Sequence, residues 1–157
     1  MTNLDMFSFR GSYMTTEIRR LTIDDYDDII RVWADAGLEY RPKGRDSRPM
    51  IAKEMQFPGA AYFGYFEDGK MIGAVIGNYD GRRGWINRLA VDPDCRGRGI
   101  GGILIKEAEQ FLRSVGAIVM TALIHELNAP SMTCFEKEGY LCQTEFEYFS
   151  KRRSQED

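Results

Sequence analysis

The feature that most constrains the fold is the segment of residues 89–102, LAVDPDCRGRGIGG, which predicts a buried strand, a turn and a glycine-rich helix start. Glycines occupy positions 99, 101 and 102, and inside a helix each costs about 1 kcal/mol relative to alanine. Without side chains, the N–H groups of this first turn are bare and lie at the positive end of the helix dipole. The turn is therefore predicted to bind an anion such as a phosphate or pyrophosphate, and Arg96 and Arg98 add positive charge beside it.

Two other interpretations of these glycines remain open. In one, they only allow the helix to pack closely on a sheet, since short glycine motifs also match by chance. In the other, Gly97, Gly99 and Gly102 spell the GxGxxG of a nicotinamide enzyme. That fingerprint normally opens the first βαβ unit and follows its strand directly. Here it lies late in the chain, and residues 92–95 separate it from the strand.

Hydrophobic periodicity predicts alternating strands and helices along the rest of the chain, in a mixed α/β or α+β class. The predicted strands are residues 17–21, 61–66, 71–78, 85–91 and 117–124, with a further extended segment over residues 140–149. The predicted helices begin at Thr22 or Asp24 and run to residue 36, then cover residues 48–57, 99–115 and 129–138.

Composition favours one globular domain and excludes several function classes. The chain has 157 residues, 43% hydrophobic and 29% charged, which fits a single domain over residues 16–150. Residues 1–15 are expected to form a loosely ordered arm, and residues 151–157 a polar tail. A net charge of −3 gives no indication of nucleic-acid binding, and no apolar run suits a membrane span. Three cysteines without paired spacing predict a cytoplasmic protein, and one histidine without CxxC predicts no metal site.

Two motifs resemble those of the GCN5-related N-acetyltransferases. The sequence RGRGIG at residues 96–101 resembles the family's (Arg/Gln)-x-x-Gly-x-(Gly/Ala) signature, and LAVDP before it is similar to the fourth strand and its turn. Downstream, residues 128–140 (NAPSMTCFEKEGY) resemble the second family motif. The motifs stand in the expected order, and the likeness covers nearly all of the chain beyond the arm.

The resemblance implies a GNAT-like fold, with a central, mostly antiparallel twisted sheet of six to seven strands flanked by about four helices. It also implies an enzyme that moves an acetyl group from acetyl-CoA to a primary amine of a small molecule or peptide, by direct attack in a ternary complex. A homodimer is compatible with the family. The alternative is a module that binds or senses CoA with little catalysis, because Phe135 stands where the family often has a general-acid tyrosine.

The resemblance also implies which residues hold acetyl-CoA. The strand backbone would bond the pantetheine arm and thioester, the glycine turn would cradle the pyrophosphate, and the second motif would line the opposite wall. The residues so implied are Leu89, Ala90, Val91, Arg96, Gly97, Arg98, Gly99, Ile100, Gly101, Gly102, Asn128, Ser131 and Phe135.

The candidate catalytic residues are Asn87, Glu126 and Tyr140. Strict alternation places Asn87 on the same face of its strand as Leu89 and Val91, where its amide would position a water. Glu126 follows the fifth strand, as does His125, near the mouth of the expected cleft. Tyr140 would replace the missing tyrosine as proton donor, with Tyr148 or water as alternatives.

Two further interpretations concern side chains near the expected site. Cys134 is interpreted as a small buried hydrophobic residue rather than as a carrier of the acetyl group. The carboxylates of Asp35, Glu39 and Asp80 are candidates to meet a cationic amine acceptor, with a solvated acidic surface as the alternative.

Overall fold

A computed structural model describes residues 13–157, so most of the arm predicted over residues 1–15 lies outside the described part. Short 3-10 turns lie at Ile23–Asp25 and Pro93–Cys95, and no helix of the described residues is long and apolar enough to cross a membrane. The strands are β1 (Thr16–Arg20), β2 (Ala60–Glu67), β3 (Lys70–Tyr79), β4 (Gly84–Val91) and β5 (Met120–Thr121). The helices are α1 (Tyr26–Asp35), α2 (Arg48–Glu54), α3 (Ile100–Ser114) and α4 (Ala129–Lys137).

The start of the first helical segment is fixed by a capping box at Thr22. The Thr22 hydroxyl accepts from the N–H of Asp24 at 3.3 Å, and the Asp25 carboxylate accepts from the N–H of Thr22 at 2.9 Å. This reciprocal pair satisfies N–H groups that a helix start leaves unpaired. Of the two predicted caps, the structure uses Thr22, and Gly37 ends the segment with a left-handed φ of +76°.

The five strands form one sheet in the order β1-β2-β3-β4-β5, with α3 and α4 on one face and α1 and α2 on the other. The first four strands are antiparallel, and β5 pairs with β4 in parallel. One core cluster joins α3 to the sheet through residues such as Leu104 and Ile105, and the other joins α1 through Ile29 and Trp33. The mixed α+β class, the mostly antiparallel sheet and the four helices are confirmed.

The predicted count of six to seven strands is wrong for the described residues, which form five. Residues 140–149 form no strand, and the apolar side chains of Leu141, Phe146 and Phe149 are exposed. Strand 117–124 is also reduced to the two residues of β5. Apolar alternation gives a segment strand propensity, but a strand also needs a neighbour that takes up its N–H and C=O groups. Within residues 13–157, no strand lies beside the segment after α4.

Candidate active site

A cleft opens where β4 and β5 separate. Their parallel pairing is limited to Gly84 with Met120 and Trp85 with Thr121, so beyond Trp85 no strand of the described part of the chain lies beside that edge of β4. The cleft has a volume of about 290 Å³ and reaches from the end of α1 to the start of α3. Its lining residues are Ala36, Leu38, Leu89, Ala90, Val91, Cys95, Arg96, Gly97, Gly99, Ile100, Gly101, Gly102, Asn128, Pro130, Ser131, Thr133, Cys134, Lys137 and Glu138.

The start of α3 forms the electropositive end of the cleft. Gly97 and Gly99 have left-handed φ values of +75° and +80°, which only glycine adopts without strain. Gly99 is the N-cap and has no side chain that bonds the first turn. The first-turn N–H groups therefore face the cleft without intrahelical partners, and Arg96 and Lys137 add positive charge to its lining. This arrangement suits a phosphate group.

Two other glycines keep the floor of the cleft open between α3 and α4. A Cβ added at Gly101 would lie 2.7 Å from the Sγ of Cys134, and one added at Gly102 would overlap the Glu138 carboxylate. Any side chain at either position would fill the space between the two helices. The lining thus combines a cradle of bare N–H groups with a free strand edge, which fits a long ligand with phosphates at one end, such as a coenzyme A.

The cleft brings together all of the predicted cofactor residues except Arg98 and Phe135. The guanidinium of Arg98 pairs with the carboxylate of Glu67, at the end of β2. Phe135 is only 4% exposed, and its ring packs edge-on against Tyr140 at 5.0 Å between centroids. Phe135 therefore supports α4 from within the core.

A bulge in β4 changes which face its side chains occupy. Arg88 has a φ of +54°, and the pairing with β3 shifts between Ala74 and Ile76. Asn87 lies opposite Ile76, on the face covered by α1 and α2, whereas Leu89 and Val91 pack against the α3 cluster. The expectation that Asn87 shares a face with Leu89 and Val91 is wrong, because the extra residue of the bulge inverts the alternation.

Asn87 ends a chain of hydrogen bonds that fixes its orientation. The Glu54 carboxylate accepts from the Tyr62 hydroxyl and from the Asn78 Nδ2, both at 2.8 Å. A carboxylate only accepts, so Asn78 turns its amide nitrogen to Glu54 and its oxygen to the Asn87 Nδ2, at 3.1 Å. The amide nitrogen of Asn87 is thereby engaged, and its oxygen is left as an acceptor. Burial and the neighbouring Glu54 carboxylate raise the pKa of Tyr62 above its ordinary value, so its hydroxyl stays a donor.

None of the three catalytic candidates, Asn87, Tyr140 and Glu126, belongs to the cleft lining. Tyr140 donates its hydroxyl to the Glu109 Oε1 at 2.7 Å, and burial together with this bond raises the Tyr140 pKa above its ordinary value. Glu126 is exposed in the loop after β5, next to His125, whose Nδ1 accepts from the N–H of Leu127 at 3.2 Å.

The sequence did not identify several cleft residues on α4 and at the end of α1. Those on α4 and its neighbour are Pro130, Thr133, Cys134, Lys137 and Glu138. Their spacing of three and four residues was a usable signal, because it places them on the same helix face as Asn128 and Ser131. Ala36 and Leu38 carry no comparable signal, since they reach the cleft only through the packing of α1 on the sheet.

The three acidic acceptor candidates are engaged within the chain. Asp35 pairs with Arg31 at 3.6 Å, and Glu39 pairs with Arg41 at 3.3 Å. Asp80 accepts from the N–H groups of Arg82 and Arg83 at 2.8 and 2.7 Å and from the Trp85 indole at 2.9 Å. These bonds lower the Asp80 pKa to about 2.

Arg88 ties the bulge of β4 to the loop of residues 39–47. Its guanidinium donates to the Asp46 carboxylate at 2.9 Å and to the backbone oxygen of Glu39. It also lies over the Trp33 ring, 4.6 Å from the centroid. Asp46 is only 7% exposed and accepts as well from the N–H of Arg41 at 2.7 Å. The loop beside the cleft is therefore anchored to the residue that precedes Leu89.

Comparison with known proteins identifies the family. The acetyltransferase (GNAT) family model matches residues 18–140. An acetyltransferase of Yersinia pestis (strain Pestoides F) is 32% identical over 127 residues, covering 81% of this chain and 89% of that protein. Another, from Sodalis glossinidius, is 30% identical over 136 residues, covering 87% and 94%.

The fold is also that of a solved N-acetyltransferase. The crystal structure of the PaiA N-acetyltransferase from Thermoplasma acidophilum in complex with coenzyme A superposes with a TM-score of 0.70 at 20% identity, over 79% of this chain and 88% of that one. Because the family model matches residues 18–140 and a relative is 32% identical over 81% of this chain, the chain belongs to the acetyltransferase (GNAT) family, as an N-acetyltransferase that uses acetyl-CoA as co-substrate.

Proposed function

We propose that this enzyme transfers the acetyl group to a primary amine, on a small molecule or a peptide, by direct attack while both substrates are bound. Acetyl-CoA supplies an acyl group activated as a thioester. The observation that carries the proposal is one continuous cleft with the anion-binding start of α3 at one end and Ala36 and Leu38 at the other. An amine that enters beside α1 would meet the acyl group along β4.

The backbone supplies the binding groups in this proposal. The N–H groups of residues 97–102 would donate to the pyrophosphate, and the free edge of β4 at Leu89 and Val91 would bond the pantetheine amides as an added strand does. The Asn128 Oδ1 already accepts from the N–H of Ser131 at 3.2 Å as the cap of α4. Its amide nitrogen remains to donate to the ligand.

Asn87 is the catalytic candidate that the hydrogen bonds support best. The attacking amine has to lose a proton before it can act as a nucleophile. The Asn87 oxygen, held in a fixed direction by Asn78, would position a water that takes up this proton. Tyr140 already donates to Glu109, so water is proposed to protonate the leaving thiolate. Glu126 is left as the candidate that would accept a proton near the mouth of the cleft.

An acetyl-enzyme on Cys134 is the competing route. Cys134 lines the cleft, but burial raises the pKa of its thiol. The thiolate is the nucleophilic form of cysteine, so a raised pKa disfavours acetylation of this side chain. Direct attack by the amine is therefore the better supported mechanism.

The test is turnover with a panel of small primary amines and amine-bearing peptides, followed by mass spectrometry of both product and protein. We expect an acetylated amine, released CoA, initial-rate lines that intersect, and no acetyl group on the protein. Parallel lines with an acetylated protein would contradict direct attack. Binding of CoA without turnover on any amine would support the alternative function, a module that binds or senses CoA with little catalysis.

A further inference from the structure

A second hollow lies between the loop of residues 39–47 and the C-terminal tail. Its volume is about 590 Å³. Five basic residues line it: Lys43 and Arg45 from the loop, and Lys151, Arg152 and Arg153 from the tail. We call this surface the basic hollow. Two segments that are more than a hundred residues apart in the sequence contribute its positive charge, which the sequence pattern alone did not indicate.

The basic hollow is cationic on a chain whose net charge is −3. Asp157 is the acidic residue of its lining, and it pairs with Arg153 at 3.5 Å. Arg45 lies 3.7 Å from the buried Asp46. Within residues 13–157, no carboxylate pairs with Lys43, Lys151 or Arg152, and all three are exposed. Three cations therefore remain to bind an anion from outside.

The C-terminal tail packs directly against the loop of residues 39–47. The backbone of Glu156 lies so close to Gly44 that a Cβ at this glycine would overlap its carbonyl oxygen. The Asp157 carboxylate accepts from the N–H groups of Arg153 and Ser154, both at 3.0 Å, and so closes a turn in the tail. These contacts hold the basic side chains of the two segments around one hollow.

The basic hollow and the cleft share the loop of residues 39–47. Leu38, at the start of the loop, lines the cleft, while Lys43 and Arg45 line the hollow. Arg88 anchors the loop near both ends, at Glu39 and Asp46. An extended molecule with its amine in the cleft would therefore pass over this loop to reach the basic side chains.

We propose that the basic hollow binds acidic side chains of a peptide acceptor, so that the enzyme acetylates an amine on a polypeptide that carries carboxylates near that amine. This inference rests on the proposed function. Lys and Arg pair with carboxylates, and Met50 and Tyr148 give the hollow apolar surface against which a peptide packs. Asp35, Glu39 and Asp80 already pair within the chain, which favours the alternative of a solvated acidic surface over recognition of the acceptor by these carboxylates. A nucleic acid has phosphates but no aliphatic primary amine, and the net charge of −3 opposes it.

The first test compares two fluorescent peptides of equal length with the same terminal amine, one with a run of glutamates and one with glutamines in their place. We expect the glutamate peptide to bind more tightly, by fluorescence anisotropy, and to lose affinity as salt is raised. The Lys43→Glu/Arg152→Glu variant should weaken that binding roughly tenfold, because two attractions become repulsions. Arg82→Glu, an exposed charge reversal in the β3–β4 turn, should leave binding unchanged within about twofold. Equal binding of the two peptides, or unaltered binding by the double variant, would overturn the proposal.

Two further measurements separate this inference from the proposed function. The thermal shift produced by CoA reports on the cleft alone, and it should be the same in the double variant as in the parent. If the double variant loses the glutamate peptide while the parent acetylates no amine, the binding surface stands and the proposed function fails. A single-stranded oligonucleotide that binds the hollow more tightly than the glutamate peptide and displaces it would overturn the proposal in favour of nucleic acid.

Discussion

At the scale of single residues, Gly101 decides whether the cleft can hold its ligand. A Cβ there would lie 2.7 Å from the Cys134 Sγ, so Gly101→Val should close the space between α3 and α4. We expect CoA affinity to fall by tenfold or more, with a stability cost of about 1–3 kcal/mol from overpacking. Calorimetric titration with CoA and chemical denaturation measure the two effects.

A double variant separates a clash with Cys134 from blockage of the cleft. Gly101→Val/Cys134→Ala removes the sulfur that the new side chain would strike, so most of the lost stability should return. CoA affinity should stay low, because the valine still occupies the cleft. Unchanged CoA affinity in Gly101→Val would contradict the assignment of the start of α3 as the phosphate site.

Asp80 gives a prediction at acid pH. Backbone N–H bonds, that from Arg83 first, and the Trp85 indole lower its pKa from 3.8 to about 2. The stabilisation is therefore present above the unfolded pKa of 3.8 and is lost as the pH falls towards 2. As the pH falls between these two values, the free energy of unfolding of Asp80→Asn should decrease less per pH unit than that of the parent. Identical pH slopes in urea denaturation would contradict the bonds assigned to this turn.

At the scale of elements, the bulge of β4 positions the loop beside the cleft. Arg88 bonds the buried Asp46 at 2.9 Å and stacks on Trp33. Arg88→Ala would leave the buried Asp46 carboxylate with only the N–H of Arg41 and the more distant Arg45 guanidinium, so we expect a loss of about 2–4 kcal/mol in the free energy of unfolding. Trypsin should also cut the loop at Lys43 and Arg45 faster.

Arg113→Ala is the matched control for Arg88. It removes an Arg–carboxylate pair of similar geometry, to Glu109 at 3.0 Å, but Arg113 lies on the exposed face of α3. Arg113→Ala should lower the free energy of unfolding by less than about 1 kcal/mol and leave the rate of tryptic cleavage in the loop unchanged. The two carboxylates are similarly buried, so equal costs for the two variants would show that burial of the Arg88 guanidinium contributes nothing.

The elements differ in how well local sequence predicts them. Helix α3 and the residues at its start follow from the apolar periodicity of residues 100–115 and from the glycines before it, a pattern typical of an anion-binding helix start, so this part of the cleft could be predicted. The face that Asn87 occupies could not be predicted, because period-two alternation assumes an unbroken strand. The bulge lies at Arg88, which adopts a left-handed φ although it is not a glycine, so no residue type in the sequence marks it. Residues 140–149 have strand-like alternation, but pairing depends on a distant neighbour that no local pattern reports.

At the scale of the whole molecule, the sheet separates two cores with different tasks. The cluster around α3 builds the anion-binding end of the cleft, and the cluster around α1 supports the loop of residues 39–47. The cleft lies where the two meet, at the point where β4 and β5 part. The charge of the basic hollow is likewise a property of the fold, since residues from both ends of the domain have to meet before it exists.

The most direct test of the central claim, that the cleft beside α3 binds acetyl-CoA, is thermal unfolding with acetyl-CoA, CoA and NAD, each added separately at millimolar concentration. A ligand at about 100 times its dissociation constant adds roughly 2.7 kcal/mol, which raises the Tm of a domain of this size by about 5–10 °C. We predict that shift with acetyl-CoA and CoA and none with NAD. A shift with NAD alone, or no shift with either CoA species, would contradict the account.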